Sequence, residues 1–270
     1  MSQIDPRAHL DPSASLAPGC VLRSGAYVGA GVRLEAGVQL DANAALVDCE
    51  AGQTTRLCQG VRVGANATVL AGVVIAAKAI VRPGSVVTRA VPPNAIVEGN
   101  PATIVGYVDT LHEAAAALRP APGSGPASVE TTSVRGVSVH QFPIVPDMRG
   151  NLTVGEFERQ IPFTPKRYFM VFGVPSREIR GEHAHRRCHQ FLICLRGSCS
   201  VVADDGERKV EVELNAPNRG LYLPPMTWGI QYKHTPDALL MVFASDYYDA
   251  SDYIRDYADF LQAVQTTRAH

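Results

Sequence analysis

Gly19-Cys20-Val21-Leu22-Arg23-Ser24-Gly25-Ala26-Tyr27-Val28-Gly29-Ala30-Gly31-Val32-Arg33-Leu34 carries an aliphatic residue at Leu22, Val28 and Leu34, a small or branched residue two positions before each, and glycine one position earlier. Working outward, the sixfold spacing runs through Ile4, Leu10, Leu16, Leu22, Val28, Leu34, Leu40 and Leu46, eight positions without a break. After a single slip it resumes at Leu57, Val63, Val69, Ile75, Val81 and Val87. An amphipathic helix needs period 3.6 and a half-buried strand period 2, so neither accounts for six. A tight three-sided solenoid does: one hexad forms each face, the corners take residues that tolerate unusual backbone angles, and inward residues stack in columns. Fourteen hexads at three per coil make nearly five coils.

This hexapeptide pattern resembles that of the left-handed parallel β-helix acyltransferases, and the stretch from Val91 to Ala102 is similar to their final coil and exit. The resemblance implies a trimer with acyl-CoA in a groove between subunits, where an amine on a sugar nucleotide is acylated. Many relatives place a histidine in a loop thrown out of the solenoid. Here the excursion, Asp48 to Arg56, is short, and the histidines near this half are His9 and His112. Asp48 and Glu50, with Gln53, are the candidates to bind the amine or take its proton, and Lys78 and Arg82 to meet the CoA phosphates. The competing reading is ordinary solvated polarity on a solenoid kept only for trimerisation.

The second half carries a different signal, in Arg180-Gly181-Glu182-His183-Ala184-His185. Side chains alternate faces along a strand, so His183 and His185 point the same way. Gln190 to Leu195 reads as an apolar strand, and Lys209 to Leu214 alternates as a return strand after the turn signal Asp204-Asp205-Gly206. A His-x-His pair is a common metal-ligand spacing in cupins. The carboxylate and third histidine that usually complete that set are missing, since Gln190 follows and Gly229 comes after Trp228. A metal-free acid/base pair is preferred, because imidazole titrates near neutrality; a buried structural pair is the bland alternative.

Four stretches then resemble the nucleotide-sugar 3,4-ketoisomerases, small cupins acting on dTDP-4-keto-6-deoxyhexoses: Asp147 to Thr153, Arg180 to His185, Gly220 to Trp228, and Ser245 to Asp249. They occur in order across roughly residues 138 to 264. The resemblance implies transfer of a ketone from C4 to C3 through an enediolate, without metal or cofactor. It implies His185 as base, His183 as its partner or proton relay, and Arg149 and Arg180 at the diphosphate or oxyanion. Gln190 would orient a histidine, and Tyr168 and Tyr222 would line the pocket, with packing the alternative for all three. Gly229 departs from relatives that carry histidine there, which bears on the configuration left at C4.

The expected architecture is therefore all-β: a hexapeptide-repeat domain over 1–118, including a short capping helix over 109–118, a Pro/Gly/Ser-rich linker over 119–133, and a cupin or jelly-roll barrel over 134–270. Tyr253, Ile254, Tyr257, Phe260 and Leu261 fall at helical spacing, which predicts a terminal helix. With 46% apolar residues and a net charge of −1 over 270 residues, composition disfavours nucleic-acid binding, and no stretch has the length of a membrane span. The start lacks the pattern of a secretion signal, so a cytoplasmic protein is expected. The six cysteines show no paired metal spacing and are read as buried reduced thiols. Trimeric solenoid and dimeric cupin contacts together would give a hexamer. A sugar-nucleotide-binding module without catalysis and a metal-dependent cupin enzyme remain as alternatives.

Overall fold

The computed structural model describes residues 2–50, 52–112, 127–175 and 178–268. The chain divides into two compact units, Met1–Val108 and Asp109–His270.

In the first unit, fourteen two-residue strands run from Gln3–Ile4 to Val86–Val87. Gln3 pairs in parallel with Val21 and Ile4 with Leu22, three hexads apart, and the same pairing repeated along the chain produces three separate sheets. This is the three-faced parallel β-helix that the hexads call for. The corners explain the glycines: Gly19, Gly25, Gly31 and Gly37 have φ between 71° and 81°, and Asn43 and Asn66 sit at 58° and 57°. Such left-handed angles cost a Cβ-bearing residue other than asparagine or aspartate about 1–2 kcal/mol. Lys78 takes the same corner position at φ 60°. Inside, Leu22, Val28, Leu40, Leu46 and Leu57 are at most 1% exposed, with Ala26, Val38 and Ala44 buried beside them. Each such aliphatic contributes roughly 1.5–3 kcal/mol of burial.

The slip is a real insertion. Arg33 lies beside Arg56, five residues later than the repeat would place it. Asp48 pins the extra residues: its carboxylate accepts the Ala30 N–H at 2.9 Å and the Tyr27 hydroxyl at 2.9 Å. At the far end, Ala95–Gly99 adds a parallel rung to Ile80–Val81, and Ala102–Tyr107 folds back on it antiparallel.

That hairpin pairs along the last rung, and the described part of the capping helix expected over 109–118 is not helical. Within 109–118, Thr110–His112 is instead a strand pairing with Lys209 to Glu211, because its backbone groups find a free sheet edge there; 113–118 lie outside the described residues. The expected linker is also shorter than 119–133. Ser128–Thr131 pairs with Ser138–Gln141, and 119–126 lie outside the described residues.

The second unit has two six-stranded sheets. One orders Thr110–His112, Lys209–Leu214, Cys199–Asp204, Trp228–Tyr232, Arg180–His185 and Tyr253–Ile254. The other orders Ser128–Thr131, Ser138–Gln141, Arg219–Leu223, Gln190–Arg196, Leu239–Ala244 and Arg167–Phe172. Val201, Ala203, Val210 and Val212 from the first meet Leu192, Leu221, Leu240 and Val242 from the second in one core, the two-layer barrel expected of a cupin. The terminal helix starts at Tyr257 and ends at Arg268. Tyr253 and Ile254, expected within it, are a strand beside Ala184 and His185, and Asp256 ends that strand by accepting the Ala258 and Asp259 N–H groups at 2.8 and 3.0 Å. Phe260 has no exposed surface and packs 5.5 Å from Trp228.

Leu40 fills the middle of an inward column, so Leu40→Ala should destabilise the solenoid by about 2–5 kcal/mol, read as a lowered denaturant midpoint. A loss under about 1 kcal/mol would contradict the stacked-column account.

Candidate active site

The histidine strand is shaped by a bulge. Gly181 pairs with Ile230 and His183 with Gly229, which leaves Glu182 as an extra residue at φ 54°. Gly181 itself is at φ 84°, and a Cβ there would stand 2.6 Å from the Gly229 carbonyl, so glycine is required. Beyond the bulge the strand is regular and both imidazoles turn to one side, with ring centroids 5.0 Å apart at 83°.

His185 is 5% exposed and held at both nitrogens. Its Nδ1–H donates to Asp252 Oδ2 at 2.8 Å, and Nε2 accepts from the Gln190 amide at 3.0 Å. The carboxylate fixes the tautomer, which leaves the lone pair on Nε2. Asp252 is held in turn, accepting the backbone N–H of Arg187 at 2.8 Å and of Cys188 at 3.3 Å. His183 donates from Nδ1 to the Gly181 carbonyl at 3.0 Å. Burial holds the His183 pKa down to about 4, outweighing that carbonyl, and the His185 and Arg255 charges act in the same direction. Burial also lowers the pKa of His185, against the opposing pull of Asp252. Both rings are therefore neutral at pH 7.

Tyr253, opposite His185 in the strand pairing, places its ring 4.3 Å from His185 and 4.9 Å from His183. Arg255 lies 4.4 Å over that ring, and Arg167 Nη2 donates to the Tyr253 hydroxyl at 3.5 Å. A small pocket is lined by His183, His185, Cys188, Gln190, Leu223, Pro224, Thr227, Gly229 and Gln231. It sets two neutral imidazoles against a wall of mixed polar and apolar side chains.

Of the residues singled out in the sequence, His183, His185 and Gln190 meet in this pocket, whereas Arg149, Arg180, Tyr168 and Tyr222 are absent from its lining. Tyr222 is displaced by strand alternation. Leu221 and Leu223 face the core, so Tyr222 lies on the other side, hydrogen-bonded to His189 Nδ1 at 2.6 Å. Tyr168 is 63% exposed for the same reason, while Phe169 faces the core and Arg167 reaches Tyr253. Arg149 occupies the exposed turn between Ile144–Asp147 and Gly150–Thr153, and exposed Arg180 begins its strand opposite Gln231. The guanidinium groups whose charge reaches His185 are those of Arg167 and Arg255. Sequence reasoning missed Asp252, Arg167 and Tyr253. Asp252 stands three residues past the last family-like stretch; its only local mark is the Asp249-Ala250-Ser251-Asp252 turn, where the Asp249 side chain accepts the Ser251 N–H at 2.9 Å.

The solenoid candidates sit apart in two sets. Asp48 and Glu50 share the inserted loop, and Asp48 is tied to Tyr27, whose ring stacks 4.8 Å from His9. Asp48 raises the Tyr27 hydroxyl pKa. Lys78 turns a corner, and Arg82 pairs with Glu98 at 3.3 Å.

Residues 135–265 match the family FdtA, WxcM-like, C-terminal. The TDP-4-oxo-6-deoxy-alpha-D-glucose-3,4-oxoisomerase of Aneurinibacillus thermoaerophilus is 43% identical over 126 residues, covering 47% of this chain and 91% of that protein. The chain belongs to the FdtA family. Outside the FdtA-type barrel the likeness is shorter. The dTDP-3-amino-3,6-dideoxy-alpha-D-galactopyranose 3-N-acetyltransferase of the same organism is 50% identical over 50 residues, 18% of this chain and 26% of that protein. Among solved structures, a 3,4-ketoisomerase from Helicobacter canadensis aligns with a TM-score of 0.47 at 36% identity, covering 48% of this chain and 98% of that one.

The low pKa of His183 has a thermodynamic consequence for the FdtA-type barrel. Its folded value, about 4, lies below the ordinary 6.5, so the fold favours the neutral ring. That stability is present above about pH 6.5 and is lost as pH falls toward 4, because the unfolded chain binds the proton first. Between pH 7.5 and 5 the native protein should lose about 2 kcal/mol from this group. Urea midpoints at the two pH values should therefore differ less in His183→Asn; an unchanged difference would contradict the assignment.

Proposed function

We propose that the FdtA-type barrel isomerises a dTDP-4-keto-6-deoxyhexose to the 3-keto sugar, with His185 as the base. The observation that carries this reading is the 2.8 Å bond from His185 Nδ1 to Asp252, which leaves the Nε2 lone pair to act as base once the Gln190 amide that donates to it at 3.0 Å gives way to substrate. Nε2 removes the proton from C3, and the electron pair moves to form the C3–C4 enediolate. The imidazolium so formed is stabilised by the Asp252 carboxylate beside it. His183, 5.0 Å away and itself neutral, is the neighbouring ring able to relay the proton toward C4. Transfer of the C3 hydroxyl proton to O4 and protonation at C4 complete the 3-ketone. The sum is redox-neutral, so no electron-carrying cofactor is called for. Arg167 and Arg255, whose charges act on His185, take the place of Arg149 and Arg180 as candidates for the enediolate oxygen or the diphosphate. Gly229 lines the pocket at the position where relatives carry histidine, and Leu223 Cδ1 stands 3.4 Å from where a Cβ would sit there.

Proton NMR of dTDP-4-keto-6-deoxyglucose with the protein in deuterated water tests this. Deuterium should enter at C3 as a 3-keto sugar appears, and the spectrum reports the configuration at C4. His185→Asn should abolish exchange, and Asp252→Asn should reduce kcat by about 10²–10⁴ through loss of the tautomer. Because burial lowers the His185 pKa, the acid limb of kcat/KM should lie below pH 6.5, activity falling as the ring protonates. Exchange that survives in His185→Asn would refute the assignment.

A second activity is favoured by the short acetyltransferase likeness together with the hexad solenoid. We propose acyl-CoA-dependent N-acylation of a dTDP-3-amino-3,6-dideoxyhexose, with Asp48, Glu50, Lys78 and Arg82 as the polar groups to examine. Acetyl-CoA with that amine should release free thiol, measured colorimetrically. No thiol release from a chain that light scattering shows to be trimeric or hexameric would leave the solenoid as an assembly scaffold.

A further inference from the structure

Three buried side chains of different donor type converge at the imidazole edge opposite the reacting nitrogen. A ring nitrogen of His185, Cys188 Sγ and a carboxylate oxygen of Asp252 lie within 4.8 Å of one another, and it is Nδ1 that bonds Asp252 at 2.8 Å. The three residues are 5%, 2% and 5% exposed. The isomerase reading employs His185 and Asp252 but gives the Cys188 thiol no task, although it lines the same pocket. Its hydrogen bond to the His189 carbonyl is a long one, 3.4 Å, and the Arg167 guanidinium also lies within hydrogen-bonding reach of the sulfur.

We propose that His185, Cys188 and Asp252 form a binding site for a thiophilic divalent cation of the Zn²⁺ class, and that filling it switches the isomerase off. One imidazole nitrogen, one thiolate and one carboxylate form a donor set suited to Zn²⁺, which binds nitrogen, sulfur and oxygen at about 2.0–2.3 Å. Mg²⁺ and Ca²⁺, which favour all-oxygen shells, are disfavoured. Tetrahedral ligands at those lengths stand roughly 3.3–3.8 Å apart. The nitrogen and oxygen, now 2.8 Å apart across a shared proton, need to open by less than about an ångström to admit the ion. The fourth position faces the pocket and takes water.

The proton bookkeeping explains the switch. The Asp252 carboxylate brings no proton, and the Cys188 thiol loses its proton to solvent as the sulfur–metal bond forms. The proton on His185 Nδ1 must leave that nitrogen and reappear on Nε2, so the ring stays neutral. One proton is released per ion bound. The same step removes the Nε2 lone pair that takes the substrate proton, and the Gln190 amide must turn to present its oxygen. Loading and catalysis therefore exclude each other through one tautomer. Metal binding stands on the geometry alone; the loss of activity rests on the isomerase reading.

Co²⁺, titrated into chelator-stripped full-length protein, supplies the test. The wild type should develop thiolate-to-cobalt charge-transfer absorption that saturates at one equivalent, with one proton released. Cys188→Ser should lose that absorption, whereas Cys58→Ser should keep it. Asp252→Asn, which retains the thiol, should keep the absorption but weaken binding by at least about 10–100-fold. Circular dichroism of each variant guards against misfolding. No charge-transfer absorption in the wild type, or its persistence in Cys188→Ser, would overturn the site. Zn²⁺ at one equivalent should abolish C3 exchange and a chelator should restore it; full exchange by metal-loaded protein would overturn the switch. A protein with no isomerase activity under any condition but an intact cobalt spectrum would sink the isomerase reading and leave the metal site standing.

Discussion

The bond between His185 and Asp252 is the constraint on which the rest of the site depends. A 2.8 Å contact between two residues 67 positions apart needs both backbones placed to a fraction of an ångström. On one side this is done by the Glu182 bulge, which sets the phase of the strand so that His183 and His185 face inward. On the other it is done by the turn Ala250–Asp252, after which Tyr253–Ile254 adds to the same strand's edge. The backbone N–H groups of Arg187 and Cys188 then hold the carboxylate where the imidazole needs it. Pinning one nitrogen determines what the other can do, and both the proposed catalysis and its proposed inhibition by metal follow from that single tautomer.

The solenoid obeys a different economy. Its fourteen repeat strands are two residues long and none would persist alone, since so short a pairing cannot offset the loss of chain entropy. Stability comes from vertical repetition, with Leu22 on Leu40 and Leu40 on Val63 along one column. Each coil therefore supports its neighbours, and a five-residue insertion is tolerated because it leaves the column intact and bulges only at a corner. Asp48 closes that bulge by bonding back to Tyr27 and Ala30.

How much of the barrel's site could be read from the chain depended on local geometry. The histidine pair was legible because two residues separated by one in an extended strand must share a face. Gln190, at the start of an apolar run, also turned inward. Tyr222 and Tyr168 were legible as strand residues but not as to face: a one-residue change of phase exchanges Tyr222 for Leu223 and Tyr168 for Arg167 or Phe169. Asp252 was out of reach, because its place beside His185 is created by long-range pairing that no local spacing encodes. Arg149 and Arg180, proposed for the substrate's charge, lie outside the pocket lining, whereas the charges of Arg167, on the strand Arg167–Phe172, and of Arg255, just after Tyr253–Ile254, act on His185.

By itself, then, the chain determined the period-six solenoid, the presence of a two-layer β-barrel, and the pairing of His183 with His185. Each rests on a repeat or alternation that acts over a few residues, where backbone sterics and burial leave a single solution. The tertiary structure alone decided that a hairpin pairs along the solenoid's last rung, that Tyr253 and Ile254 are strand before the helix begins, and that Asp252, Cys188 and Tyr253 gather round His185. Those outcomes depend on which sheet edge is free and which strands become neighbours, and such choices are made only when the whole barrel closes.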